Sequence, residues 1–370
     1  MDLRTKLAQH VERSLLEGTR LDVFPSGVSG IRIGDEQPVV CSAGVERSAL
    51  FDVASLTKVV ATLPAVLLAI QAGKAGLHDP VIRWLPEFAS RDDARREHVT
   101  LYHLLTHTSG LPAWRPFFVK LNGRGEYAAA ICREPLIGAP GAQIVYSDPG
   151  FMLLGFILER IWDAELEQVI SSHIIKPLGL SSTGYKPGRA GRHIAPTEKG
   201  NAFEKNMAYD YIEKLQNGEL PAGAFAIGKA DVESFGWREE TICGTVHDCN
   251  AFYGLNGVSG HAGLFSDIDD LFRYMDIWRS GSGEFISEQL RSAAIRPRES
   301  SDTSSRGLGW ECYGEHVFGH TGFTGTSLWH HTEYRLTCIA LTNRVHPAAR
   351  TGIQQWRGQL RESLLSSFTS

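Results

Sequence analysis

The sequence predicts an α+β fold: an antiparallel sheet flanked by helices and completed by both chain ends, with a mainly helical domain inserted between them. Two patterns carry this expectation. Short alternating apolar segments, as expected of strands with one buried face, cluster at residues 28–44 and again from 317 to 341. The intervening chain holds apolar runs of helical period, punctuated by proline and glycine. Strands at both ends and helices between them are reconciled by one sheet whose neighbouring strands come from opposite ends of the chain. The expected division is a sheet domain from 1–75 and 265–370 and a helical domain from 76–264.

In chain order, residues 4–18 read as an amphipathic helix. Val28 to Ile33 and Val39 to Gly44 alternate as paired strands joined around Gly34-Asp35. Ser55 is expected to open the first central helix, whose apolar run begins at Val59. Asp79-Pro80, Leu85-Pro86 and Gly110-Leu111-Pro112 break the next hundred residues into short helices. Asp148-Pro149 reads as a helix start, Asp148 as N-cap and Pro149 at the first helical position. A segment at about 199–236 is an insertion: a helix-like Phe203 to Leu215, then a loose stretch from Pro221 to Lys229. It is either a solvated excursion or a lid over the site, since loops carry specificity. Ser266-x-x-Asp269 resembles a capping box. Strands resume near Val317, run through Thr324–Trp329 and Arg335–Leu341, and a final helix occupies about 351–367.

Composition narrows the function. The chain has 370 residues, enough for a packed core, and 42% are hydrophobic. A net charge of −5 and the lack of a basic stretch interleaved with aromatics argue against a nucleic-acid partner. Met1 is followed by Asp2, Arg4, Lys6, Glu12 and Arg13, which is neither a signal-peptide core nor a span. The longest apolar stretch, Val59 to Ile70, contains Thr62 and Pro64 and is too short to cross a bilayer. These features point to a cytoplasmic protein whose six cysteines are reduced thiols. His103 and His107 have i,i+4 spacing but no adjoining glutamate, so they read as capping or core residues rather than zinc ligands. No cofactor or metal is expected.

The chemistry is carried by Ser55-Leu56-Thr57-Lys58, the only Ser-x-x-Lys in the chain. A serine at the first turn of a helix and a lysine three residues on share one face. The serine lies where N–H groups are unpaired and the helix dipole favours a developing anion. Burial and that positive end disfavour the charged lysine, which keeps it basic enough to take the serine's proton. A serine cap followed by a surface lysine is the alternative. Tyr146-Ser147-Asp148 and His320-Thr321-Gly322 follow in order. Each has a rival: Tyr274-Met275-Asp276 lies in a periodic helix, where Tyr274 is a packing residue, and His261-Ala262-Gly263 leads toward a helix rather than a strand.

In this order the three motifs resemble the penicillin-recognising serine hydrolases: class C β-lactamases, serine D-Ala-D-Ala peptidases and the β-lactamase-like family VIII esterases. The resemblance runs from about residue 20 to 365. It implies the β-lactamase/transpeptidase-like fold and an acyl-enzyme on Ser55, with Lys58 and Tyr146 shuttling its proton to the leaving group. It implies further that the N–H groups of Ser55 and Phe323 form an oxyanion hole, that Thr321 and Gly322 line the strand beside the acyl chain, and that Arg350 matches a basic residue holding substrate carboxylates. Arg350 reads equally as a surface charge. Two departures stand out. His320 replaces a lysine and removes a fixed positive charge. Asp148 replaces an asparagine and should hold Lys58 as ammonium, unless it is only a helix cap. The resulting expectation is an esterase or amidase on small ester, amide or peptide substrates. A D-amino-acid peptidase or weak β-lactamase, or a non-catalytic covalent sensor, is the alternative. The oligomeric state is left open.

Overall fold

The computed structural model describes residues 2–188, 191–279, 285–301 and 305–368. Its strands, in chain order, are β1 (Gly27–Ile33), β2 (Val39–Ala43), β3 (Phe51–Asp52), β4 (Gly184–Tyr185), β5 (Leu264–Ser266), β6 (Glu299–Ser300), β7 (Ser305–Arg306), β8 (Glu311–Cys312), β9 (Val317–Thr321), β10 (Ser327–His331) and β11 (Leu336–Thr342). Among the described residues, eight of them form one sheet in the order β2-β1-β11-β10-β9-β8-β7-β6. The two chain ends meet at its centre: β1 runs antiparallel to β11 from the pair Gly27 and Thr342 to the pair Ile33 and Leu336. A small second sheet, β3-β5-β4, leads into the nucleophile segment.

Both faces of the large sheet are covered. The terminal helices Leu3–Arg20 and Ile353–Leu365 bury Leu7, Val11, Leu15, Trp356 and Leu360 against Ile31, Trp329 and Cys338 on one face. On the other, the helices Leu63–Gln71 and Ile268–Met275 join the main core with Val28, Ile339 and Leu341. That core runs on into the helical region through Asp148–Trp162, whose residues from Pro149 to Leu158 are all buried. A helix apolar on every side is one that other elements surround. The inserted region keeps a smaller cluster of its own, with Ala208, Tyr211 and Ile212 of the helix Ala202–Gln216 packed on Ile227 and Val232.

Several expected boundaries move, each for a local reason. The strand expected from Thr324 begins at Ser327, because Gly322 to Thr326 turn, with Gly325 at φ +119°. Ser55 lies in the turn just before the helix rather than opening it, and Lys58–Thr62 form a π turn ahead of Leu63–Gln71. Helix Ile268–Met275 is capped by Asp267, whose side chain accepts from the Asp270 N–H, with β5 preceding it; Ser266 therefore ends a strand and opens no capping box. Ser147, not Asp148, caps Asp148–Trp162, accepting the Gly150 N–H at 3.1 Å. Asp148 is the first helical residue, and its carboxylate is left for another partner. No helix among the described residues is long and apolar enough to cross a membrane.

Candidate active site

Three segments converge on Ser55. The first is the chain leading out of β3. Ala54 takes a left-handed conformation at φ +48°, which costs a non-glycine residue about 1–3 kcal/mol and persists only when its surroundings enforce it. They do: Asp52 accepts the Ala54 N–H at 2.9 Å and, with its other oxygen, the His247 N–H at 2.7 Å. This bend sets Ser55 at the wall of a cavity of about 190 Å³.

The second segment is the turn after β9. Thr324 Oγ1 donates to the Asp52 carbonyl at 2.7 Å and Thr326 Oγ1 to the Val53 carbonyl at 3.0 Å, stitching this turn to the nucleophile segment. Gly322 permits the approach, since a Cβ there would stand 2.1 Å from Thr326 Oγ1 and 2.6 Å from the Val53 oxygen. Phe323 then lines the same cavity as Ser55. Neither the Ser55 nor the Phe323 N–H has an acceptor among the described residues, so both are available to an oxyanion. Arg344 fixes Phe323 by donating Nε to its carbonyl at 2.7 Å, with the guanidinium 4.5 Å from the ring centroid.

The third segment is the loop and helix from Tyr146. Ser147 holds it, donating its N–H to His107 Nδ1 at 3.0 Å and its hydroxyl to the Pro112 carbonyl at 2.7 Å. Gly260 runs against the same helix, where a Cβ would come within 2.2 Å of the Phe151 oxygen. That close crossing delivers the His261 carbonyl to Lys58.

Lys58 is fully buried, and its Nζ meets Ser55 Oγ at 3.0 Å, the His261 carbonyl at 3.1 Å and Asp148 Oδ1 at 2.8 Å. It also lies 4.8 Å from the Tyr146 ring centroid. Burial pulls the Lys58 pKa down, but the Asp148 carboxylate and then Tyr146 outweigh it, and the net shift is upward. Burial pushes the Tyr146 phenol up, against the pull of Lys58, while Ser55 and Lys58 both hydrogen bond to it. At neutral pH Lys58 is therefore an ammonium and Tyr146 a phenol.

His320 lies behind Tyr146, ring centroids 5.9 Å apart, and donates Nδ1–H to the Thr321 carbonyl at 2.8 Å. Burial first, then Arg306 and Lys58, drive its pKa well down, so it is neutral and supplies no fixed charge. Thr321 borders a separate cleft with Glu311, Tyr313 and Arg357. Arg350 stands off from the cavity: its Nε meets Asp22 at 3.0 Å and Nη1 donates to the His346 carbonyl. His103 closes a capping box at the start of the helix Leu101–Leu105.

The structure adds residues that the motifs alone did not single out. Glu204, Phe203 and Met207 from the inserted helix, together with Trp114, His247 and Asp248, line the cavity with Ser55. His261, set aside in the sequence as the rival motif, is at the site after all, its ring paired with Asp248 at 3.0 Å. Arg306 lies over the Tyr146 ring at 5.5 Å. The sequence signal for Phe203, Glu204 and Met207 was the insertion itself, read as either a solvated excursion or a lid over the site. Tyr274 is a packing residue, fully buried with its hydroxyl on the Val59 carbonyl.

Comparison with known proteins gives the family and the fold. The beta-lactamase family description matches residues 26–360, and the chain belongs to that family. A protein of Escherichia coli K12, provisionally named D-alanyl-D-alanine carboxypeptidase, is 31% identical over 340 residues, 84% of this chain and 72% of that protein. One of the same provisional name from Salmonella agona is 30% identical over 328 residues, 80% of this chain and 70% of its own. Among solved structures, EstCE1, a hydrolase with promiscuous acyltransferase activity, superposes with a TM-score of 0.74 at 20% identity, over 98% of this chain and 99% of its own. A class C beta-lactamase gives 0.69 at 18% identity over 98% and 97%. A D-stereospecific amidohydrolase from a Streptomyces species gives 0.69 at 19% identity over 97% and 98%. At such identities the structures establish the shared fold.

Proposed function

We propose that this member of the beta-lactamase family is a serine hydrolase that forms an acyl-enzyme on Ser55 and acts on small esters and amides. The observation that carries the reading is one cluster: Ser55 Oγ 3.0 Å from the buried Lys58 Nζ, with Tyr146 against both, at the wall of a cavity. Ser55 Oγ attacks the substrate carbonyl carbon, and its proton passes into the Lys58–Tyr146 pair. The N–H groups of Ser55 and Phe323 stabilise the negative oxygen. The pair returns the proton to the leaving group, and water then cleaves the acyl ester by the reverse sequence. Because Lys58 and Tyr146 are both protonated at rest, the active form is the one that has lost a proton, and kcat/KM rises with pH.

A second reading, a carboxypeptidase on peptides ending in D-alanyl-D-alanine, is favoured by the names of the relatives near 30% identity. Against it, Arg350, the one residue expected to hold a terminal carboxylate, is paired with Asp22 away from the cavity. Turnover of a panel of p-nitrophenyl esters, D-Ala-D-Ala peptides and nitrocefin by the purified protein tests both. The proposal expects the short-chain esters to lead. Peptide cleavage exceeding ester cleavage in kcat/KM would transfer the assignment to the second reading, and Ser55-independent turnover would overturn both.

A further inference from the structure

The cavity beside Ser55 has an unusual charge. Its lining includes four carboxylates, Asp52, Asp148, Glu204 and Asp248, and no lysine or arginine. Two are already satisfied: Asp52 by the Ala54 and His247 N–H groups, Asp148 by Lys58 reaching it from beneath. The other two are only half engaged. Glu204, 5% exposed, takes the Cys249 N–H on Oε2 at 2.8 Å. Apart from the Cys249 thiol beside it, no described donor reaches its second oxygen. Asp248 gathers the Ala251 N–H at 2.7 Å and the His261 ring at 3.0 Å on Oδ1 alone. The nearby His247 ring is spent on Glu198 at 2.9 Å.

Two neighbouring carboxylates on one cavity wall, Glu204 of them buried, repel each other unless a proton or a cation joins them. Burial first, and then the charge of Asp248, push the Glu204 pKa up to about 7, while Asp248, drawn down chiefly by His261 against its own burial, stays at about 2. A ligand ammonium set between the two carboxylates would relieve the same repulsion. The remaining walls suit the rest of such a ligand. Trp114, Phe203, Met207 and Phe323 offer apolar area and aromatic faces that attract a cation.

We infer that Glu204 and Asp248 form a subsite for a protonated amine carried on the substrate's acyl group, so that aminoacyl esters and amides with a free amino group are preferred substrates. The inference rests on the acyl-enzyme reading of Ser55 and adds a substrate class to it. Glu204 belongs to the inserted helix Ala202–Gln216, so the insertion contributes the specificity while the family core contributes the chemistry.

The test measures kcat/KM of the full chain for D- and L-alanine p-nitroanilide, their N-acetyl forms, and p-nitrophenyl butyrate as an uncharged reference. The free amine of at least one enantiomer is expected to exceed its N-acetyl form by about tenfold or more. The ratio of free-amine to butyrate kcat/KM is expected to fall about tenfold in Glu204→Gln and in Asp248→Asn, with melting temperature recorded for each. Equal or faster turnover of the N-acetyl forms by the unaltered protein overturns the subsite even if both variants fail to fold. An unchanged ratio in folded variants does the same. In both cases butyrate turnover and labelling of Ser55 leave the hydrolase reading standing. No turnover of any substrate, with no labelling of Ser55, overturns that reading and the subsite with it.

Discussion

Replacing Asp148 with asparagine isolates the least expected group at the site. The carboxylate lies 2.8 Å from the ammonium of a fully buried lysine. Two unit charges at that distance attract by about 6 kcal/mol at an effective dielectric constant near 20. Asp148 is 19% exposed, so solvent and relaxation remove much of this. If about a quarter survives, it still amounts to roughly tenfold in the protonation equilibrium of Lys58. The sign follows from the causes: with Asp148 gone, burial is the largest remaining influence and favours the neutral amine. Since the deprotonated pair is the active form, the rising limb of kcat/KM against pH should move to lower pH, by about a tenfold change in proton concentration or more. Ser147 still caps the helix in this variant, so loss of a cap does not confound the result. Hydrolysis of p-nitrophenyl butyrate from pH 6 to about 11, less the uncatalysed rate, reads the shift, because both groups titrate above their ordinary values. A profile that stays in place, or moves to higher pH, would refute the reasoning and reduce Asp148 to a structural role.

Gly322→Ala should lower ester kcat/KM by about a hundredfold or more, because relieving contact with the Val53 oxygen shifts the Phe323 N–H, and one oxyanion donor is worth about that much. Full activity in that variant would mean the turn does not serve the oxyanion. Met207→Ala should extend the range of p-nitrophenyl ester chain lengths accepted while changing the melting temperature little, since Met207 lines the cavity and is only partly buried. An unchanged chain-length profile would contradict its part in the wall. Ester kcat/KM should exceed that for nitrocefin by about a hundredfold, since neither His320 nor Arg350 offers a cation to the β-lactam carboxylate. Comparable values would show that another cation serves.

What the sequence made legible was what local pattern controls. The pairing of the chain ends was legible from the short strand-like apolar segments at Val28–Ile33 and Arg335–Leu341, but the single buried face expected of them is not found, because helices cover both sides of the sheet and bury β1 and β11 almost throughout. The inserted helix was readable from its helical period. Ser55, Lys58, Tyr146 and Phe323 were legible through motif order, and the structure brings all four together. Strands β6 to β8 carry two residues each, too few to show any period. The choice between Ser147 and Asp148 as cap is a matter of one residue, settled by where Ser147 finds further partners in His107 and Pro112. Glu204, Asp248 and His261 reach the site only through tertiary packing: a glycine at 260 that lets two segments touch, and a helix folded back from the insertion. Arg350 shows the converse. The family resemblance suggested a place at the site, and a partner distant in sequence, Asp22, pairs with it elsewhere.

The central claim is that Ser55 is the residue that carries the acyl group. Treating the purified protein with a fluorophosphonate, followed by peptide mass mapping, tests it directly. The account predicts a single adduct on Ser55, lost in Ser55→Ala together with ester hydrolysis. An adduct on Ser109 or Ser147, or hydrolysis that persists in Ser55→Ala, would contradict it.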